Sequence, residues 1–129
     1  MTENNQYLGN PNLKKANISQ EWTNDQLSEY AKCMEDPQYF IENYVRIVSL
    51  DEGLIPFKMY PFQKEMVGTF HSNRFTICKL PRQSGKSTVM VSYLLHYALF
   101  NDSVNIAILA NKAATARDLL SRLQLAYEH

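Results

Sequence analysis

Leu80-Pro81-Arg82-Gln83-Ser84-Gly85-Lys86-Ser87-Thr88 is the stretch on which the reading of this chain turns. Its second half, Gly85-Lys86-Ser87, fits the end of the phosphate-loop consensus, Gly, four residues, then Gly-Lys-Ser/Thr, set between a strand and a helix. Each residue type has a physical task there. Gly85 has no side chain, so the backbone can close on a phosphate and aim its N–H groups inward. The helix that starts at this point adds the positive end of its dipole. Lys86 is expected to reach the β and γ phosphates, and the Ser87 hydroxyl to ligate Mg²⁺. Leu80 stands where the consensus has its first glycine, which weakens the match. The competing reading is a Ser-Gly-Lys-Ser run in a surface turn without a ligand; the apolar segments on both sides weigh against it. ATP with Mg²⁺ is therefore the expected ligand, held by Pro81, Gln83, Ser84, Gly85, Lys86, Ser87 and Thr88.

Outward from the loop, residues 74–80 read as a buried strand before it, and a helix is expected from the loop to about Phe100. That helix should set Val91, Leu94, Leu95, Ala98 and Leu99 against the core. Asn101-Asp102 reads as a turn, residues 104–109 as a second buried strand, and residues 113–127 as a helix. Strand, helix, strand, helix in this order predicts a parallel sheet with right-handed crossovers. The last helix meets Glu128-His129 without a stop signal, so the sheet is expected to be incomplete at the C-terminus.

Upstream, Pro61 should open a helix with Phe62, Met66, Val67 and Phe70 on its apolar face. Residues 46–50 suit a short strand, followed by a turn at Asp51-Glu52-Gly53. Asp36-Pro37 is a cap-and-first-turn pair, and Phe40, Ile41, Tyr44 and Val45 share one face of the helix that follows. Thr23 and Gln26 form a capping box, with Trp22 and Leu27 as its hydrophobic staple. Residues 1–20, rich in Asn and Gln, read as an irregular lead-in. The expected organisation is an arm over residues 1–22, a helical lead-in over 23–57, and the first part of an α/β P-loop core over 58–129.

Several side chains outside Gly85-Lys86-Ser87 carry chemistry. Gln63 has an amide that can donate to and accept from an adenine edge at once, and Tyr60 or Phe62 beside it could stack on the ring. A solvated Gln63 with a core Phe62 fits the spacing equally well. Arg82 could point at a γ phosphate and stabilise transition-state charge, or could be a surface arginine paired with a carboxylate. Ile47-Val48-Ser49-Leu50-Asp51-Glu52 imitates the Walker B strand that ends in paired acids, but it precedes the loop instead of following it. Residues 104–109 end in Ala110-Asn111, with no acid to position an attacking water. The chain on its own is therefore expected to bind nucleotide and to hydrolyse it poorly.

Lys112, Arg117 and Arg122 do not share a helical face and read as solvated surface. His71, His96 and His129 lack partners at metal spacing, and Cys33 and Cys78 lack CxxC spacing; all five read as structural or solvent-facing. Thirteen basic residues balance thirteen acidic ones. A domain gripping nucleic acid mainly through its own phosphate contacts would be visibly basic. No apolar run approaches the roughly 20 residues of a membrane span, and the polar N-terminus lacks a secretory pattern, so no membrane association is expected.

The run from Leu80 to Thr88 resembles the large terminase subunit of tailed phages. Tyr7-Leu8-Gly9-Asn10-Pro11-Asn12-Leu13-Lys14-Lys15-Ala16-Asn17 is similar to the opening of that ATPase domain in the T-even-like group, especially in phages of cyanobacteria. Residues 60–66 resemble its adenine motif, and residues 106–116 the strand and helix after its phosphate loop. The resemblance implies a helicase-like (RecA-type) ATPase domain, followed in the family by a metal-dependent nuclease domain. It implies ATP-driven movement of double-stranded DNA through a portal into a procapsid. The implied partners are the portal protein, the small terminase subunit and further copies of the chain; the implied location is the host cytoplasm and, transiently, the portal. On matching positions, Lys86 and Ser87 would hold phosphate and Mg²⁺, Gln63 would read adenine, and Arg82 would be an arginine finger in cis. Replacement of that glycine of the loop consensus by another residue, as at Leu80, is common in that family. Walker B, the coupling motif and the nuclease domain have no counterpart in these residues. A superfamily 2 helicase or translocase shares the glutamine-then-loop order, but takes its finger from a second domain. A nucleotide-binding module without turnover is the reading outside the enzyme class.

Overall fold

The computed structural model describes residues 6–17, 19, 21–81 and 85–128. Two antiparallel hairpins and five helices make up its regular structure. The first hairpin joins β1 (Gln6–Tyr7) to β2 (Asn10–Lys14) through Leu8 and Gly9, both at positive φ. Two left-handed residues in succession are what a tight hairpin turn requires. This ladder lies where an irregular lead-in was expected. Its pairing is non-local, and Asn-rich sequence gives it no alternation to read. Asn10 and Asn12 of β2 donate their side-chain amides to the Glu128 carbonyl at 3.3 and 3.1 Å. The hairpin thus satisfies an end carbonyl of the last helix, which has no partner inside the helix.

Helix α1 (Asn24–Glu35) starts on the expected box: Thr23 Oγ1 accepts from Gln26 N–H, and Gln26 Oε1 accepts from Thr23 N–H at 2.9 Å. Trp22 packs edge-on against Tyr30 at 5.9 Å between ring centroids. Helix α2 (Pro37–Tyr44) is capped by Asp36, whose carboxylate accepts from Gln38 and Tyr39 N–H, with Pro37 in the first turn. β3 (Arg46–Ser49) and β4 (Gly53–Pro56) form the second hairpin, in register Ile47 to Ile55. Asp51 and Glu52 lie in its turn, and Gly53 takes the left-handed conformation that closes it. β4 itself was not expected, because Gly53-Leu54-Ile55-Pro56 is too short to show a period.

Helix α3 (Pro61–Ser72), α4 (Lys86–Phe100) and α5 (Ala113–Glu128) complete the chain. The core gathers Cys33, Phe40, Ile41, Val45, Phe57, Met59, Met66, Val67, Val89 and Leu95 between α1, α2, α3 and α4. Fully burying a side chain such as Ile41 or Val67 stabilises by about 1.5–3 kcal/mol each. On α4 the buried face is Val89, Val91, Ser92, Leu95 and His96, with Ala98 and Leu99 exposed. The inward face is rotated from the expected one because His96 goes in. Its ring packs on Phe100 and Phe40 at 4.7 and 5.4 Å, and its Nε2 lies 2.7 Å from the Cys33 carbonyl. A carbonyl only accepts, so Nε2 carries the proton and ties α4 to the end of α1.

Burial pushes the His96 pKa below its ordinary 6.5, against the smaller upward pull of that hydrogen bond. A folded value below the unfolded one gives stability that is complete above about pH 6.5. It is lost as pH falls through 6.5 towards the depressed folded value. His96→Phe keeps the ring but leaves the Cys33 carbonyl unpaired, at a cost of about 1–3 kcal/mol. Urea melts should show that loss at pH 8, together with a flatter stability profile between pH 7 and 5 than in the parent chain.

The expected parallel sheet is absent from the described residues. Residues 76–81 and 104–110 run without ladder pairing, and Phe75, Ile77 and Leu109 are almost wholly exposed. An apolar run becomes a strand only when a neighbour takes up its N–H and C=O groups, and neither run is hydrogen-bonded to the other as a ladder. α5 has no fully buried residue; Leu123 and Ala126 rest partly on the core.

Candidate phosphate-binding site

The site forms where the N-termini of α3 and α4 meet. Gly85 caps α4 at φ +76, a conformation that disfavours any side chain, and accepts from Val89 N–H at 3.1 Å. The N–H groups of Lys86, Ser87 and Thr88 belong to the first turn, which has no intrahelical acceptors. They point with the helix dipole towards the loop, the arrangement that anions favour. Lys86 is exposed and folds back, its Nζ donating to the Leu80 carbonyl at 3.4 Å. The ammonium therefore lies beside the Leu80 carbonyl. Ser87 and Thr88 are partly buried beside it. Pro81 is exposed at the near rim; Arg82, Gln83 and Ser84 lie outside the described residues.

Gln63 is 3% exposed and sits directly behind Gly85. A Cβ built on Gly85 would come 2.7 Å from Gln63 Nε2, so the absence of a side chain is what lets the two helix ends approach. Gln63 Oε1 accepts from Tyr60 N–H at 2.8 Å, closing the first turn of α3. The glutamine expected to read a base thus lies between the first turn of α3 and Gly85. Tyr60 and Phe62 are exposed and nearly parallel, 6.1 Å apart at an interplanar angle of 11°. Phe62 does not join the core; buried Gln63 takes the inward position, with Met66 and Val67 below it.

Among the described residues no three His, Cys, Asp or Glu side chains converge as a metal site. Ser87, the residue expected to ligate a cation, is partly buried in the first turn of α4. Asp51 and Glu52 lie in a hairpin turn. One feature escaped the sequence reading: Thr88 and Ser92 border a cavity of about 330 Å³ with Arg46, Val48, Arg122 and Leu125. Arg122 pairs there with Asp118 at 3.1 Å. Arg46 reaches α4 only through folding of the hairpin, and no local pattern points to it. No helix of the described residues is long and apolar enough to cross a membrane. No protein-family model matches the chain.

Proposed function

We propose that the chain binds ATP·Mg²⁺ at the start of α4 and belongs to an ATPase that packages double-stranded DNA, resembling the large terminase subunit. The observation that carries the nucleotide reading is a left-handed glycine, Gly85, at the head of a 15-residue helix, followed by Lys86 and Ser87. Lys86 would hold the β and γ phosphates and Ser87 the cation, with Gln63 reading the adenine edge and Tyr60 and Phe62 offering an exposed stacking surface. The bound cation would neutralise charge on the phosphate oxygens. Residues 76–81 and 104–110 would supply apolar strands of the proposed parallel sheet.

The packaging role rests on the combined resemblance of the lead-in, the adenine motif and the loop, with portal, small subunit and further copies as partners in the host cytoplasm. In that role Arg82 acts in cis. Replacing Arg82 by Ala in the protein that carries this chain should abolish DNA-stimulated phosphate release and leave ATP affinity within about threefold. Undiminished turnover would contradict the finger and favour a helicase-type arrangement. A second reading, nucleotide binding without turnover, is favoured by Ala110-Asn111, which place no acid where Walker B would end. ATP binding with no phosphate release by the wild-type protein would establish it.

A further inference from the structure

Beside the core, where α1, α2 and the end of α4 meet, Trp22, Tyr30, Phe100, Phe40 and Tyr44 line a cavity of about 360 Å³ that also reaches Cys33. Successive rings touch at 5.9, 5.1, 5.5 and 6.1 Å between centroids. Their planes turn from near-parallel, at 16° for Phe40 and Tyr44, to near-perpendicular, at 85° for Phe40 and Phe100. Five aromatic rings at varied inclinations thus border one space. The volume lies at the small end of the roughly 300–1,000 Å³ of ligand clefts. Trp22, Tyr30 and Tyr44 are each close to half-exposed, so the cavity opens to solvent.

Glu29 stands in the same wall. Its Oε1 accepts from Tyr39 Oη at 2.5 Å and from Tyr44 Oη at 2.9 Å. These two phenols, with a smaller contribution from Lys32, hold the carboxyl below its ordinary range and keep it charged. The Tyr44 hydroxyl is pushed up to about 12, chiefly by desolvation and then by that hydrogen bond, so it remains a donor. The counter-charge is slight: Lys32 Nζ is 4.0 Å from Glu29 Oε2, and its side chain is 62% exposed. Between Glu21 and Asp36 five acids face one lysine, which makes the surroundings negative as well.

An ionised carboxylate set among aromatic faces, with a weakly held counter-ion, is what a soft organic cation requires. Ring quadrupoles attract a cation within about 6 Å of the centroid, and quaternary ammonium groups are taken up by such cages. We propose that this cavity binds an alkylammonium cation, a trimethylammonium head group fitting it best. The source is either a free small molecule or a methylated lysine on a partner protein. A bare ammonium ion is more strongly hydrated and gains less from the rings.

Trp22 is the sole tryptophan of the chain, so its emission reports on this wall alone. Choline titrated into the full chain should change Trp22 emission saturably, with a Kd on the order of 1 mM. The neutral isostere 3,3-dimethyl-1-butanol should not bind. Glu29→Gln keeps an acceptor for the phenols and should weaken choline roughly tenfold. Trp22→Ala, followed by the shift of the choline methyl protons in NMR, should weaken it similarly. A trimethyllysine peptide that binds at least tenfold more tightly than choline would identify a partner side chain as the source; equal affinity would identify the free cation. No saturable choline signal, equal binding of the neutral isostere, or an affinity indifferent to Glu29→Gln in a variant with unchanged circular dichroism would each overturn the proposal.

Discussion

Lys86→Ala is expected to lower ATP affinity by about 2–3 kcal/mol, roughly 30- to 150-fold, while leaving the melting temperature unchanged. The magnitude follows from charge-assisted hydrogen bonds between an ammonium and phosphate oxygens, each about 1.5–3 kcal/mol. Stability should not follow, because the side chain is exposed and its one described hydrogen bond, to the Leu80 carbonyl, is long at 3.4 Å. Surface substitutions of that kind stay within about 0.5 kcal/mol. Calorimetric titration with ATP, beside a thermal melt, separates the two effects. A matching loss of stability would make Lys86 a structural tether of the loop.

Gly85→Val should act on both. The left-handed φ of +76 costs a side chain about 1–2 kcal/mol, and a β-branched one pays more. The new Cβ would also meet Gln63 Nε2 at 2.7 Å. Gln63 cannot simply swing aside, since its Oε1 is held by Tyr60 N–H and the side chain is buried. Overpacking of this kind adds about 1–3 kcal/mol, for a total of about 3–5 kcal/mol in urea melts. Gly85→Ala should lose less, and Gln63→Ala should cost about 1 kcal/mol less in that background than in the parent, because the contact is already the strained one. If Gly85→Val melts like the parent, the two helix ends are not braced as described.

The features legible in the sequence are those decided within one turn of chain. Thr23 with Gln26, Asp36 with Pro37, Pro61, and Gly85 each mark a helix start that local hydrogen bonding or backbone freedom dictates. Hidden were the features that need a distant partner. The β1–β2 ladder depends on a Leu8-Gly9 turn and on Glu128, more than 110 residues away. His96 reads as an ordinary polar residue until the Cys33 carbonyl, 63 positions earlier, is found beside it. The amide chemistry of Gln63 is legible in the sequence, but its burial and its approach to Gly85 depend on how α3 meets the start of α4. Residues 76–81 and 104–110 show the opposite limit: apolar composition predicts strands, but a strand is a relation between two segments, and composition describes only one.

In the proposed function, nucleotide phosphate sits on the backbone at the start of α4. Amide-resolved NMR during titration with ATP·Mg²⁺ tests it most directly. The largest shifts are expected at the Gly85, Lys86, Ser87 and Thr88 N–H groups, with smaller ones at Tyr60 and Gln63, and Lys86→Ala should remove them at the same ligand concentration. Shifts confined elsewhere in the chain, or none at millimolar nucleotide, would contradict it.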